Sequence, residues 1–538
     1  MSPLPGGFSL DNSLLGSAKA VLAISAFVLL FWDMRFGASA PERWIRLRNL
    51  ALGAIGVLSL AAWWNFGALH GPGRPLHLHD FFHYYIGSKY YAELGYTRIY
   101  QCVAVAEVQA GRSREIAQRW IRNLETNQLE QRVPGRADAD DCLSRFAEER
   151  WREFRSDVEW FRGHMSPSAW AGVPMVFGHN ATPIWNTLGY WITAGRPATD
   201  ARILALGLFD PVLFALMWLL VWRTFGLPAA SIAAVWFGLN EASRYYWIGG
   251  GFLRQDVLFC IVGGVCAMRT DRRFLAGVAM GTAMLLRAFP LFLLAGLAFR
   301  VIHIARTRDV RTAWTAYRRF AAGLTLAGLV LVGFTAVTWW GKWESPLAPW
   351  SGFAENSRKH LSTPITNHIG VKPVLAFSPD TRAALISEFW LDGPWDTWRA
   401  ARSENFEVRK PIYYALAVLF LILLWASVRS LPDWVALVAG AALLPFATTL
   451  ANYYYSVFLL FGFLWPIDKA IGVGLAALTT VTLLVPALLE QRDDQYVLIS
   501  TAVVAFAVFA VVRLRKQSRE SAMPKAAERI STHPAGVA

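Results

Sequence analysis

Apolar residues in this chain come in blocks of roughly 15–22, separated by short polar linkers, and not in the strict alternation of half-buried strands. The blocks fall near 14–33, 50–68, 201–222, 227–240, 252–268, 274–286, 289–303, 320–339, 411–428, 434–451, 453–467, 470–489 and 496–512. A helix needs about 20 residues to cross the hydrocarbon layer, so most of these blocks read as spans. The segments 227–240, 274–286 and 289–303 are short and read as broken or tilted helices inside the protein, where irregular backbone is tolerated. The pattern predicts an all-α polytopic membrane protein, with about 11–13 transmembrane helices. Its units would be N-terminal spans over 1–68, a first loop over 69–200, a central bundle over 201–339, a second loop over 340–410, C-terminal spans over 411–514 and a polar, disordered tail over 515–538.

The linkers set an orientation. Arg35, Arg43, Arg46 and Arg48 follow the first block, Arg269, Arg272 and Arg273 sit between two later ones, and Arg306, Arg308, Arg311, Arg318 and Arg319 between two more. Arg513, Arg515 and Lys516 follow the last block. If all are cytoplasmic, by the positive-inside rule, the blocks alternate without contradiction. The N-terminus is then outside, the C-terminus inside, and both long loops face away from the cytoplasm. The inner (plasma) membrane of a bacterium is the expected location. Residues 1–13 hold no Lys or Arg, so the charged start of a cleavable signal is not expected there.

Composition changes this picture little. The chain of 538 residues is 55% hydrophobic and only 17% charged, too apolar for a soluble protein of its size. Many of its 25 Trp stand at block ends, among them Trp63, Trp64, Trp222, Trp339 and Trp340, as interfacial anchors do. The formal net charge of +14 is gathered in linkers, which argues for orientation in a membrane and against a nucleic-acid partner.

The loops are not featureless. At 141–165, Leu143, Phe146, Trp151, Phe154, Val158 and Phe161 recur at roughly helical spacing among charges. That helix could lie on the membrane surface or pack within the loop. The Pro- and aromatic-rich segment 166–190 is expected to re-enter the interface. Cys102 and Cys142 share the first loop, where an oxidising compartment would permit a disulfide. Cys260 and Cys266 lie within one apolar block and read as core residues.

The segment from His77 to Tyr91 carries the densest candidate chemistry: Asp80, several imidazoles and many aromatic rings just beyond the second block. Aromatic faces suit the C–H surfaces of sugars, and a carboxylate can take a proton from a hydroxyl. Asp80 could equally cap a helix starting at Phe81, and a cap can also be a base.

Asp80, Phe81, Tyr84, Tyr85 and Gly87, with Tyr100 further on, form an Asp-Phe-x-x-Tyr-Tyr pattern. Gly277 and Gly281 lead to Arg287, Pro290 and Leu291; Gln255 follows Arg254; and Asn452 opens a run of Tyr453, Tyr454 and Tyr455. In these stretches, roughly 75–100 and 250–470, the chain resembles the GT-C superfamily of membrane glycosyltransferases. Within it, the resemblance is to glycosyltransferase family 87, the polyprenyl-phosphate-mannose-dependent enzymes. The chain departs from that pattern in placing Arg287 where the family has Lys, Arg254 where it has Gly, and an extra span before the first loop.

The resemblance implies an inverting hexosyltransferase in which Asp80 is the catalytic base. Its donor would be a polyprenyl-phosphate-linked sugar, mannose in the family, and its acceptor a hydroxyl on a lipid, glycan or protein of the cell envelope. His83, Tyr84, Tyr85, Lys89, Tyr453 and Tyr454 are the candidate sugar-site residues, and Arg254, Arg287, His368 and Lys372 the candidate cations for the lipid phosphate. Arg287 could alternatively pair with an acid such as Asp256, and the segment Asn367–Pro373 could be an ordinary turn. Membrane lipids are further expected partners.

No cofactor is expected. The Asp138-Ala-Asp140 motif precedes the amphipathic stretch, where acids favour a helix N-terminus; His77, His79 and His83 lack completing ligands for a metal; and there is no P-loop, Rossmann fingerprint or nucleophile elbow. A transporter or lipid flippase would share the short spans and intramembrane Arg, but rarely needs such long outer loops; a non-catalytic subunit of an envelope-synthesis complex, with a decayed active site, is the other alternative.

Overall fold

The computed structural model describes residues 12–71, 74–386 and 396–520. It is built almost wholly of helices, with two short two-stranded ladders, Ile121–Arg122 with Leu129–Glu130 and His368–Ile369 with Leu450–Ala451. Among the described residues, eight helices are long and apolar enough to cross a membrane, including Glu42–Trp63, Val310–Thr338 and Lys469–Leu488. Arg273–Leu286 and Asp433–Ala447 are shorter apolar helices beside them.

The helical run Asp200–Leu239 is 40 residues long, but it is not straight. A straight helix would hold positions 214 and 237 about 34 Å apart at 1.5 Å per residue. Instead the rings of Phe214 and Phe237 lie 5.0 Å apart, and Trp63 touches both. The chain reverses at Gly226, whose φ of +79° suits a residue without Cβ, with Pro228 just beyond. The apolar blocks near 201–222 and 227–240 are therefore the two arms of a helical hairpin. The block near 289–303 forms a 3₁₀ turn, Phe289–Leu293, running into the helix Leu294–Thr307.

Ion pairs gather the basic linkers at one end of the helices. Asp33 accepts from Arg48 and Lys469, each at 2.7 Å. Asp468 holds Arg513 at 2.8 Å. Asp433 takes Arg273 at 3.0 Å, Arg300, and the Tyr317 hydroxyl at 2.6 Å. Hydrogen bonding of Ser430 to Ser518 ties these groups together.

At the other end the segment between Trp63 and Phe209 folds on its own aromatic core. In the helix Glu148–His164, Trp151, Phe154, Val158 and Phe161 are buried. Phe161 packs on Phe82, and Phe154 on Tyr90. The apolar face of the 141–165 stretch is thus covered from within the chain, which decides for packing over the membrane surface. Cys102 and Cys142 are joined as a disulfide with Cα atoms 5.6 Å apart, closing a loop of 40 residues. In the chain-entropy view such a closure restricts the unfolded chain by about 4 kcal/mol. Of the two remaining cysteines, Cys266 is buried and Cys260 half-buried.

Two boundaries differ from the hydropathy reading. The helix Asp396–Val428 begins well before the apolar block near 411, because its first half is amphipathic and packs on the second loop. The last helix continues to Glu520, and the remainder of the polar tail, 521–538, lies outside the described residues.

Candidate functional site

The helix Leu78–Lys89 organises the site. His77 is its N-cap, so Asp80 stands inside the first turn and does not cap; the helix dipole there favours an acid. Residues at i, i+4 and i+7 share one face, and on this helix that face carries Asp80, Tyr84 and Gly87. Gly87 is needed for close approach: a Cβ there would meet the His179 ring at 2.6 Å.

Opposite this face runs the loop 249–255. His77 N–H donates to Gly250 O at 2.9 Å and the Tyr245 hydroxyl to Pro75 O at 2.6 Å, fastening loop to helix. The buried carboxylate of Asp210 accepts from the backbone N–H groups of Arg254 and Gln255 at 3.3 and 3.2 Å. Leu253, with φ of +50°, turns the chain sharply just before Arg254. The result sets Arg254 Nε 3.3 Å from Asp80 Oδ2. The pair is an ion contact without hydrogen-bond alignment, since both atoms are buried and lack a hydrogen-bond partner.

A second guanidinium arrives from the glycine-rich helix Arg273–Leu286. Gly277 and Gly281 pack directly on the backbone of the Val310–Thr338 helix, fixing where the chain emerges. Arg287 follows, 7% exposed, and forms no ion pair within 4 Å among the described residues. Its guanidinium lies 5.7 Å from the Tyr84 ring and 5.8 Å from Trp185. Arg254 sits over the other flank of Tyr84 at 4.4 Å and 5.5 Å from Tyr453. The Tyr454 ring lies tilted against both Tyr453, at 4.6 Å, and Phe289, at 5.1 Å. The helix Pro183–Thr193 locks the arrangement: Trp185 Nε1 donates to Leu253 O at 3.2 Å, and Thr182 Oγ1 to Leu285 O at 2.6 Å.

Asp80, Tyr84, Arg254, Arg287, Tyr453 and Tyr454, drawn from four separate stretches, thus meet at the end opposite the basic linkers. Burial pushes the Asp80 carboxyl above the usual carboxylate range, against the pull of Arg254 and then Arg287. The group can do three things chemically: accept a proton, hold an anion between two guanidinium groups, and face a ring-shaped ligand with aromatic surfaces.

Other candidates lie elsewhere. His83 is held by His79 O and the Tyr100 hydroxyl, both at 2.6 Å, on a different face of its helix. Tyr85 donates its hydroxyl to Arg196 O at 2.8 Å. Lys89 is fully buried and paired with Asp157 at 2.6 Å and Glu153 at 2.8 Å. These residues fasten the helix to the outer segment. Lys89→Ala is expected to destabilise that segment by about 3–5 kcal/mol, because it strands Asp157 as a buried unpaired charge. Thermal unfolding followed by intrinsic fluorescence checks this; an unchanged midpoint would remove Lys89 from the structural role. His368 and Lys372 line a separate cavity, described below. Asp138 is engaged by Arg132 at 2.7 Å and by Gly135 N–H at 2.8 Å, and Asp141 by Arg98 and Arg145, so these acids serve ion pairs and a helix start.

His179 was not legible as a site residue. It stacks on Tyr96 at 6.3 Å and meets Tyr84 edge-on at 5.2 Å. Its Nε2 bonds Asn186, its buried Nδ1 has no hydrogen-bond partner among the described residues, and burial lowers it to about 4, so it is neutral. The only sequence signal was a lone His in an aromatic-rich stretch.

No family model, curated protein or solved structure matches the chain.

Proposed function

We propose that the chain is an inverting, GT-C-like glycosyltransferase of the membrane, taking a sugar, mannose by the family resemblance, from a polyprenyl-phosphate donor. In this reading about 11–13 helices cross the bilayer, the N-terminus and the Asp80 end face outward, and the basic-linker end and C-terminus face the cytoplasm. The observation that carries it is the meeting, around the Tyr84 ring, of a half-buried carboxylate, whose buried Oδ2 makes no hydrogen bond, and a buried guanidinium that has no ion pair within 4 Å among the described residues. An acid placed only for stability would be fully bonded, and a cation placed only for stability would have its counter-ion.

Asp80 accepts the proton of the acceptor hydroxyl. That oxygen attacks the anomeric carbon, and the bond from that carbon to the phosphate oxygen breaks with inversion. The lipid phosphate leaves with the bonding electrons and one further negative charge, which Arg287, with Arg254 beside it, stabilises. Tyr84, Tyr453 and Tyr454 supply faces for the sugar ring.

The test is direct. The purified protein in lipid nanodiscs, given radiolabelled decaprenyl-phosphate mannose and a mixture of mannosides, should release decaprenyl phosphate and label an acceptor. Labelled donor left intact, across an acceptor panel of lipid, glycan and peptide hydroxyls, would overturn the reading.

A further inference from the structure

Apart from the Asp80 cluster, a cavity of about 310 Å³ lies between the second loop and the last helix. Such a volume is at the lower end of ligand pockets. Its walls come from the end of the helix Ala348–Ser362, the helix Val371–Ala376, the first turns of Asp396–Val428, Thr449, and the start of Arg492–Glu520.

Its charges cancel. Arg402 is paired with Asp493, which also accepts from Trp398 Nε1 at 2.9 Å. Lys372 lies 4.8 Å over the Phe406 ring, and Glu407 also lines the wall. Among the described lining residues the one guanidinium, that of Arg402, is paired with Asp493, so an anion finds little here. What faces it instead is hydroxyl and aromatic: Thr363, Thr449 and Tyr496 beside Trp398 and Phe406. Among them stands His368, 9% exposed, whose imidazole makes no hydrogen bond with any described residue. Burial and nearby Lys372 push it down to about 3, leaving a neutral ring with one donor and one acceptor. Arg402 Nε is likewise buried without a hydrogen-bond partner.

The cavity is physically joined to the Asp80 cluster. His368 pairs with Ala451 in the short ladder, and Asn452 N–H donates to Asn367 O at 2.9 Å. From Thr449 on the cavity wall to Tyr453 beside Arg254 is four residues, at most ~14 Å of chain.

We infer that this cavity is a subsite for a neutral saccharide, the part of the acceptor one or two sugar units away from the hydroxyl that reacts. The inference rests on the transferase reading for its purpose, but not for its ligand. A neutral imidazole can both give and take a hydrogen bond with a sugar hydroxyl, aromatic faces cover the C–H surface, and balanced charge favours an uncharged guest.

Saturation-transfer NMR with a panel of neutral trisaccharides (manno-, gluco- and galacto-configured) tests it on the full chain in nanodiscs. Wild type should bind at least one of them. His368→Ala should weaken that binding about 10-fold, the equivalent of one lost hydrogen-bonding group of ~1.4 kcal/mol. Ser403→Trp, a substitution at an exposed wall position that fills the space without touching the His368 ladder, should abolish it. Binding of none of the panel by wild type overturns the inference. So does equal binding by both variants, or displacement of the sugar by inorganic phosphate. A protein that binds the trisaccharide yet never transfers sugar loses the transferase reading and keeps this one. A protein that transfers sugar with an acceptor KM untouched by His368→Ala loses only this one.

Discussion

Asp80→Asn should lower turnover by about 10²–10⁴-fold, the usual contribution of a positioned general base, while leaving the chain folded. Asn is the same size and sits in the same first turn of Leu78–Lys89, where it forgoes the charge–dipole interaction, ~0.3–1 kcal/mol, and the ion contact with Arg254. It cannot accept the acceptor proton. Donor binding should survive, because Arg287 is unaltered. Measured as release of polyprenyl phosphate in single turnover, the loss should appear in kcat, with donor KM within a few-fold of wild type. Near-normal turnover by this variant would return Asp80 to a purely structural partner of Arg254.

The same carboxylate gives the pH dependence its sign. Desolvation raises Asp80 and the two arginines lower it, with the net direction upward. The basic form is lost as pH falls, so kcat/KM should drop on an acid limb lying above the ordinary carboxylate range, near 3.9. Arg254 is the larger of the two lowering influences. Removing its charge should therefore move the limb further up.

Hydropathy carried the helical architecture, for physical reasons. Backbone polar groups must be satisfied inside each span, so spans announce themselves as unbroken apolar helices. The hairpin at Gly226 was legible because its two arms and the Gly-Leu-Pro break between them are local in sequence. The helical extension upstream of position 411 was not, because its amphipathic half earns its burial from the second loop, a tertiary fact.

At the site, the motif named more residues than the geometry uses. On a helix advancing 100° per residue, Tyr84 lies 40° from Asp80, but Tyr85 lies 140° and Lys89 180° away. Their roles in anchoring follow from that angle, and the Lys89–Asp157 pair shows where it leads. Arg254 and Arg287 are some thirty residues apart, one in the loop before the helix Asp256–Arg269 and one just after the helix Arg273–Leu286, and only packing on Trp185 and Tyr84 brings them together. His179 and the distinct place of His368 depend wholly on such packing, so no local pattern could have assigned them.

Arg287→Ala is the other large effect. Removing a donor that stabilises charge developing in the transition state typically costs about 10²–10³-fold in kcat. Here the charge develops on the departing phosphate, so the loss should fall on donor-dependent steps and leave acceptor KM unchanged. Arg287 forms no ion pair within 4 Å among the described residues, but its charge acts on Asp256 and Asp80, so expression and the thermal midpoint of the variant are measured beside its kinetics to separate a lost fold from a lost phosphate contact. Arg254→Ala differs in leaving Asp80 without its 3.3 Å partner and should shift the pH profile as well. Arg287→Lys should recover part of the loss: it restores the positive charge, but as a point donor without the fork that holds two phosphate oxygens together. Guanidinium ion added to the Ala variant should rescue turnover in a saturable way, whereas a structural role for Arg287 would not respond to it. If Arg287→Ala kept wild-type donor kinetics at normal expression, the phosphate would have to be held elsewhere, and the unpaired guanidinium beside Tyr84 would need another ligand to explain its burial.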